Sequence, residues 1–106
     1  MNNAEWTSTE IEIAKQAFTA GNKNAELQLI SRVQDKASDL PDIESLYALH
    51  DYLSIERHEL EGRSLFDPET ALFAFAEMVK RGLVSLSQLE GLDAKKIAKI
   101  KAMSMF

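Results

Sequence analysis

Apolar residues recur three and four positions apart along most of the chain, the spacing that gathers them on one face of an α-helix. Ile11, Ala14, Phe18, Gly21 and Ala25 form one such stripe, and after a phase shift Ile30, Val33, Ala37 and Leu40 form a second. Thr7 followed by Glu10 has the spacing of a capping box, so a helix is predicted to begin there. Gly21-Asn22-Lys23-Asn24 is poor helix material, glycine alone costing about 1 kcal/mol relative to alanine. Because the apolar spacing resumes beyond it, the pattern predicts one long helix through the glycine, with a break near Gly21 as the alternative.

Asp39-Leu40-Pro41 ends that helix and starts the next, since the residue before a proline disfavours the helical region. The second helix is predicted from about Pro41 to Glu61, about 30 Å long, with Gly62 as its stop. Asp67-Pro68 offers an N-cap and a first-turn proline for a third helix. Ala71, Leu72, Phe73, Phe75, Ala76 and Val79 make that helix apolar nearly all round, which predicts burial, and Gly82 ends it. Ser85 or Ser87 then caps a short helical turn closed by Gly91. Asp93 caps a final helix that sets Ile97, Ile100 and Met103 against a lysine face. There is no strand alternation, repeat or low-complexity segment. The predicted fold is all-α: an elongated single domain over residues 1–106, with two long helices followed by shorter C-terminal ones.

The second helix carries the most unusual pattern. At 100° per residue, Leu46, Leu49, Leu53 and Leu60 fall within about 60° of one another, a stripe suited to a core or a dimer seam. Beside it runs a band of Arg57, His50, Glu61, Ser54, Tyr47, His58 and Asp51, spanning about 120°. Aromatic and arginine side chains bordering an apolar patch are the residue types that dominate binding hot spots. The same band also reads as self-paired, because Tyr47 with Asp51, His50 with Ser54 and Arg57 with Glu61 are i,i+4 neighbours. On pattern alone the two readings weigh equally.

Composition narrows the function classes. At 106 residues, one domain is expected, and a thin helical chain of that size gains from dimerising. The chain has no cysteine, which removes disulfides, thiol nucleophiles and cysteine zinc sites. A net charge of −5 disfavours general nucleic-acid binding. The charge is uneven, with −8 over residues 1–92 and +3 over residues 93–106, where Lys95, Lys96, Lys99 and Lys101 face Asp93 alone. That tail suits either an acidic partner or simple solvation. Apolar runs as short as Ala71 to Ala76 cannot span a bilayer, and Met1 to Glu10 lacks the layout of a signal peptide. A soluble cytoplasmic protein without membrane insertion is expected.

Catalytic patterns are weak. His50, Asp51, His58 and Glu61 form an imaginable metal set, but Asp51 and His58 lie about 10 Å apart along one helix. His58-Glu59 lacks the second histidine of the zinc-protease motif, and no nucleophile elbow, phosphate loop or dinucleotide fingerprint is present. No enzyme activity, metal or cofactor is therefore expected. Two histidines on one helix would suit a pH-sensitive interface, imidazole being the side chain type that changes charge near neutrality.

The run Leu46-Tyr47-Ala48-Leu49-His50-Asp51-Tyr52-Leu53-Ser54-Ile55-Glu56-Arg57-His58-Glu59-Leu60-Glu61-Gly62 resembles the signature of the fluorescence recovery proteins. That signature reads Trp-x-Leu-His-Asp, an aromatic, Leu-Ser-x-x-Arg-His-Glu-x-x-Gly. Phe73, Phe75, Gly82-Leu83-Val84-Ser85, Leu89, Gly91-Leu92-Asp93-Ala94, Lys99-Ile100-Lys101-Ala102 and Phe106 extend the likeness, which is close from residue 40 to 106 and loose over the first helix. The resemblance implies an all-α homodimer formed through the long helices, without enzymatic activity. It implies a partner, the photoactivated orange carotenoid protein, bound chiefly through that partner's C-terminal domain. Binding would speed return to the orange form and release from the phycobilisome, with a peripheral place at the cytoplasmic face of thylakoids. The implied contact residues are Tyr47, His50, Asp51, Arg57, Phe73 and Lys99. Tyr47 departs from the family's tryptophan, keeping an aromatic face but less apolar area. A fluorescence-recovery-like dimer serving a different protein partner is the alternative.

Overall fold

The computed structural model describes residues 5–106. Its first element, α1 (Ser8–Ala37), begins at the expected capping box. The Thr7 hydroxyl accepts from the Glu10 amide and Glu10 Oε1 accepts from the Thr7 amide, each at 3.0 Å. The helix runs unbroken through Gly21-Asn22-Lys23-Asn24. Tertiary contacts offset the poor propensity of that run. Asn22 Nδ2 donates to the Arg63 carbonyl at 2.8 Å and Asn24 Nδ2 to the Leu83 carbonyl at 2.9 Å. Gly21 is buried, and a Cβ there would stand 2.6 Å from Val84 Cγ2 and 3.1 Å from Met78 Cε. The least helical stretch of α1 is therefore one where other segments pack tightly against it.

Helix α2 (Ile43–Gly62) turns back along α1 as an antiparallel hairpin. Its N-cap is Asp42, not Pro41: Asp42 Oδ1 accepts from the Ser45 amide at 2.8 Å and from its hydroxyl at 2.6 Å. These bonds hold the Asp42 carboxyl below its usual range, the Ser45 hydroxyl contributing most. Gly62 is the last helical residue rather than a left-handed stop, and Arg63 at the C-cap has φ −110°.

The third helix departs from expectation in two ways. Helix α3 (Ala71–Lys80) starts after Thr70, because the Asp67 carboxylate caps a tight turn over 68–70. The Glu69 amide donates to Asp67 Oδ1 at 3.0 Å, and the Thr70 amide closes the turn onto the Asp67 carbonyl at 3.1 Å. Nor is α3 buried all round. Ala71, Leu72, Phe75, Ala76 and Met78 are buried within one arc, while Phe73 projects from the opposite side and is 63% exposed. Helix α3 stops before Gly82, and buried Leu83 and Val84 lead into a 3-10 turn, Leu86–Leu89. Gln88 Oε1 accepts from the Ser85 amide at 2.8 Å, and the Gln88 amide donates to the Ser85 carbonyl at 3.0 Å. Gly91 has φ 105°, and a Cβ on it would run into Ile13 Cδ1, so both backbone conformation and space require glycine there. Asp93 stands at the N-cap of α4 (Ala94–Ser104), but its carboxylate makes no capping bond. Its amide donates instead to Glu10 Oε2 at 2.7 Å.

The core lies at one end of a 52 × 23 × 21 Å body. Ala14, Ala17 and Phe18 of α1 meet Leu72, Phe75 and Met78 of α3, with Leu89, Leu92 and Ile100 behind them. Phe18 stands edge-on to Phe66 and Phe75 at 5.6 and 6.2 Å, and Trp6 edge-on to Phe66 at 6.1 Å. Glu10, 6% exposed, is the buried charge among the described residues. Burial disfavours its ionised form, but the Thr7 and Asp93 amides and Lys96 Nζ at 3.0 Å together pull its pKa from 4.5 to about 2. Lys96 also donates to the Glu5 carbonyl at 2.8 Å and lies 4.6 Å from the centroid of Trp6.

Two outcomes follow from this packing. Gly21→Ala should lower thermal stability by about 1–3 kcal/mol despite alanine's higher helix propensity, because stiff Val84 must move; a raised melting temperature by circular dichroism would contradict the contact. Glu10 is more acidic folded than unfolded, so its stabilisation is complete above pH 4.5 and is lost as pH falls toward 2. Acid unfolding followed by Trp6 fluorescence should therefore lose stability across that window, and Glu10→Gln should flatten this loss while costing about 1–3 kcal/mol at neutral pH.

Candidate functional site

The fold leaves α2 with no fully buried residue. Ser45, Leu49, Tyr52, Glu56, Glu59 and Leu60 are its half-buried positions, and Leu60 packs against the core. Leu46 and Leu53, from the expected apolar stripe, remain exposed, as do Leu27, Ile30 and Leu40 of the α1 side and Ile43 at the start of α2. An apolar edge thus runs along the hairpin away from the core, and the polar band borders it.

Tyr47 in that band is 62% exposed. The side chains of His50 and Asp51 are 81% and 76% exposed and approach each other at 3.3 Å between Nδ1 and Oδ1. His50 thus turns to Asp51 rather than to Ser54. Arg57 does pair with Glu61, Nε donating to Oε2 at 3.2 Å, but both side chains are largely in solvent. Exposed pairs of this kind contribute about 0–1 kcal/mol. The self-paired reading therefore uses little of the band, and Tyr47, His50, Asp51 and Arg57 stand as side chains the fold does not need.

Phe73 and Lys99 stand elsewhere. Phe73 projects from α3, and Lys99 with Lys95 is exposed on α4, away from buried Ile100. The structure therefore divides the six residues between the hairpin and the α3–α4 pair. His50, Asp51, His58 and Glu61 are not drawn together, and among the described residues no group of three or more metal-ligating side chains converges. Two open grooves of about 410 Å³ lie at the hairpin tip, beside Lys36, Leu49 and Tyr52, and against the α2–α3 loop, beside Lys15, Leu65 and Phe66. Neither is lined by the six residues. No described helix is long and apolar enough to cross a membrane.

Residues 6–104 match the family model described as photoprotection regulator fluorescence recovery protein. The chain belongs to the fluorescence recovery protein family. It is 36% identical over 101 residues to the fluorescence recovery protein of Synechocystis sp. (strain ATCC 27184 / PCC 6803 / Kazusa), covering 95% of this chain and 93% of that relative. The fold superposes on the Fremyella diplosiphon fluorescence recovery protein with a TM-score of 0.82 at 33% identity, over 96% of this chain and 100% of that one. The Synechocystis structure gives 0.77 at 34% identity, over 95% and 99%. The family is one of photoprotection regulators, and its all-helical architecture is the one described above.

Sequence reasoning missed Arg81. Its guanidinium reaches Glu77 Oε2 through Nε at 2.7 Å, Glu59 Oε2 through Nη2 at 2.9 Å and Glu56 Oε1 through Nη1 at 3.5 Å. The hydrogen bond to Glu77, followed by the charges of the other glutamates, strengthens its hold on its proton. Glu77 and Arg81 were visible as an i,i+4 pair, but the two partners on α2 were not. For Arg57, the exposed pairing predicts that Arg57→Leu keeps full helicity and shifts unfolding by no more than about 0.5 kcal/mol. A cooperative loss of structure on circular dichroism would show that the fold does depend on it.

Proposed function

We propose that this chain is a non-enzymatic regulator that binds photoactivated orange carotenoid protein through that partner's C-terminal domain and speeds its red-to-orange return. The same contact would release the partner from the phycobilisome and end the quenching of light harvesting. The observation that carries the reading is a set of exposed hot-spot side chains that contribute little to the fold. Tyr47, His50, Asp51 and Arg57 lie along one band of α2, and Phe73 is an exposed phenyl ring on a helix whose other large apolar residues are shielded. Membership of a family of photoprotection regulators supports it.

The proposed working form is a homodimer closed through α1 and α2. The half-exposed Leu27, Ile30, Ile43, Leu46 and Leu53 would be covered there, and burying the remaining half of each is worth about 1 kcal/mol. Residues 1–106 would act as one domain, in the cytoplasm and peripherally at the thylakoid face that carries phycobilisomes. In mechanism, a binder accelerates a two-state protein by holding the barrier region more tightly than the starting state. Phe73 and Tyr47 would give apolar anchors, Arg57 and Asp51 charged contacts, and Lys99 attraction to an acidic patch.

The test is the dark decay of photoactivated orange carotenoid protein, followed by absorbance with and without this chain. A several-fold faster return below one-to-one stoichiometry is expected, and Arg57→Leu should weaken that effect about tenfold, corresponding to about 1.4 kcal/mol of contact energy. No acceleration by a folded dimer would overturn this reading and favour a fluorescence-recovery-like module with a different partner.

A further inference from the structure

Backbone packing is densest within two helix pairs, which meet through the α1 face of the core. Helix α2 lies along α1, and α3 lies against α4. The Arg81 fork spans the two, since Glu77 belongs to α3 and Glu56 and Glu59 belong to α2. The Arg81 side chain is only 28% exposed, so the contact is screened less than a surface pair. Glu56, Glu59 and Glu77 converge on this one guanidinium, with Arg32 and Arg63 lining the same cleft, so without Arg81 the α2 and α3 carboxylates would lose their shared counter-ion and repel one another. The planar fork suits this task because it aims separate N–H groups at separate acceptors in fixed directions, which a lysine ammonium does not.

The location gives the fork its consequence. Glu56 precedes Arg57 in sequence, and Glu77 lies one turn beyond Phe73 on α3. The fork therefore sits between the proposed contact residues of the hairpin and those of the α3–α4 pair. We infer that Arg81 is a positioning residue that fixes α2 relative to α3 and α4, so that the Arg57 band and the Phe73 and Lys99 surfaces are presented to the partner in one geometry. The role in partner binding rests on the function proposed above; the fixing of α2 does not. A partner that engages both surfaces gains from each only if their spacing is already set, and a loosened joint adds an ordering cost at binding.

The chain lacks cysteine, so spin labels can be placed by Ile55→Cys on α2 and Ala98→Cys on α4, both exposed, with labelled protein diluted into unlabelled protein to isolate distances within one chain. In the free protein, Arg81→Gln should broaden or shift the label–label distance distribution, and Arg81→Lys should do so less. In unlabelled protein, Arg81→Gln should bind the photoactivated orange carotenoid protein about three- to tenfold more weakly, in the range of coupling between neighbouring groups. Adding Glu56→Gln and Glu59→Gln to Arg81→Gln removes the repulsion without restoring the joint. The melting temperature should recover, while the broad distribution and the weak binding persist. An unchanged distance distribution in Arg81→Gln would overturn the inference, as would full recovery of distance and affinity in the triple variant. If the unsubstituted chain does not bind that partner at all, the function proposal fails, and the distances alone still decide whether Arg81 sets the joint.

Discussion

Val84 and Met78 can lie against α1 only because residue 21 has no side chain. That close approach, flanked by the bonds from Asn22 to the Arg63 carbonyl and from Asn24 to the Leu83 carbonyl, organises the rest of the molecule. It brings the end of α2 and the start of the segment after α3 to the middle of α1 at once. The core can then close around Phe18, Phe75, Met78 and Ile100. Glu10 and Lys96 tie the far end of α1 to the start of α4 in the same way. Partly buried bonds of this kind are costly to leave half-made, so they specify one arrangement as well as strengthening it.

Because the core gathers at one end, the rest of the hairpin is left half-finished. No residue of α2 is fully buried, and the apolar edge formed by Leu27, Ile30, Ile43, Leu46 and Leu53 faces outward. Helices in proteins draw most of their stability from packing an apolar face rather than from propensity. A second copy across that edge is the arrangement proposed above. The polar band of α2 then borders the covered edge, the place where interface anchors and their polar rim usually meet.

The six candidate contact residues do not form one patch on a single element. Four lie on α2 and two on the α3–α4 pair, so their common geometry depends on how those parts are joined. Beside the α1 contacts, Arg81 bridges that joint directly with three charge-assisted bonds to two helices. Its partners are ordinary surface glutamates by sequence, and nothing in their spacing distinguishes them from a solvated acidic face.

The sequence by itself determined the helices, the capping box at Thr7 and Glu10, the core stripe Ala14, Phe18, Gly21 and Ala25, and the signature on α2 with its exposed candidates. These are local properties, set by periodicity and by caps that act within a few residues. It misplaced the start of α3, since Asp67-Pro68 can cap a turn as readily as a helix, and burial of Ala71 and Leu72 settled which. It also read α3 as buried all round, although only one face met the core and Phe73 was left outside. The tertiary structure alone decided why Gly21 is tolerated mid-helix, which glutamates meet Arg81, and that Asp93 gives its amide to Glu10. Each of those joins residues distant in sequence, and neither helical period nor propensity carries information about such pairs.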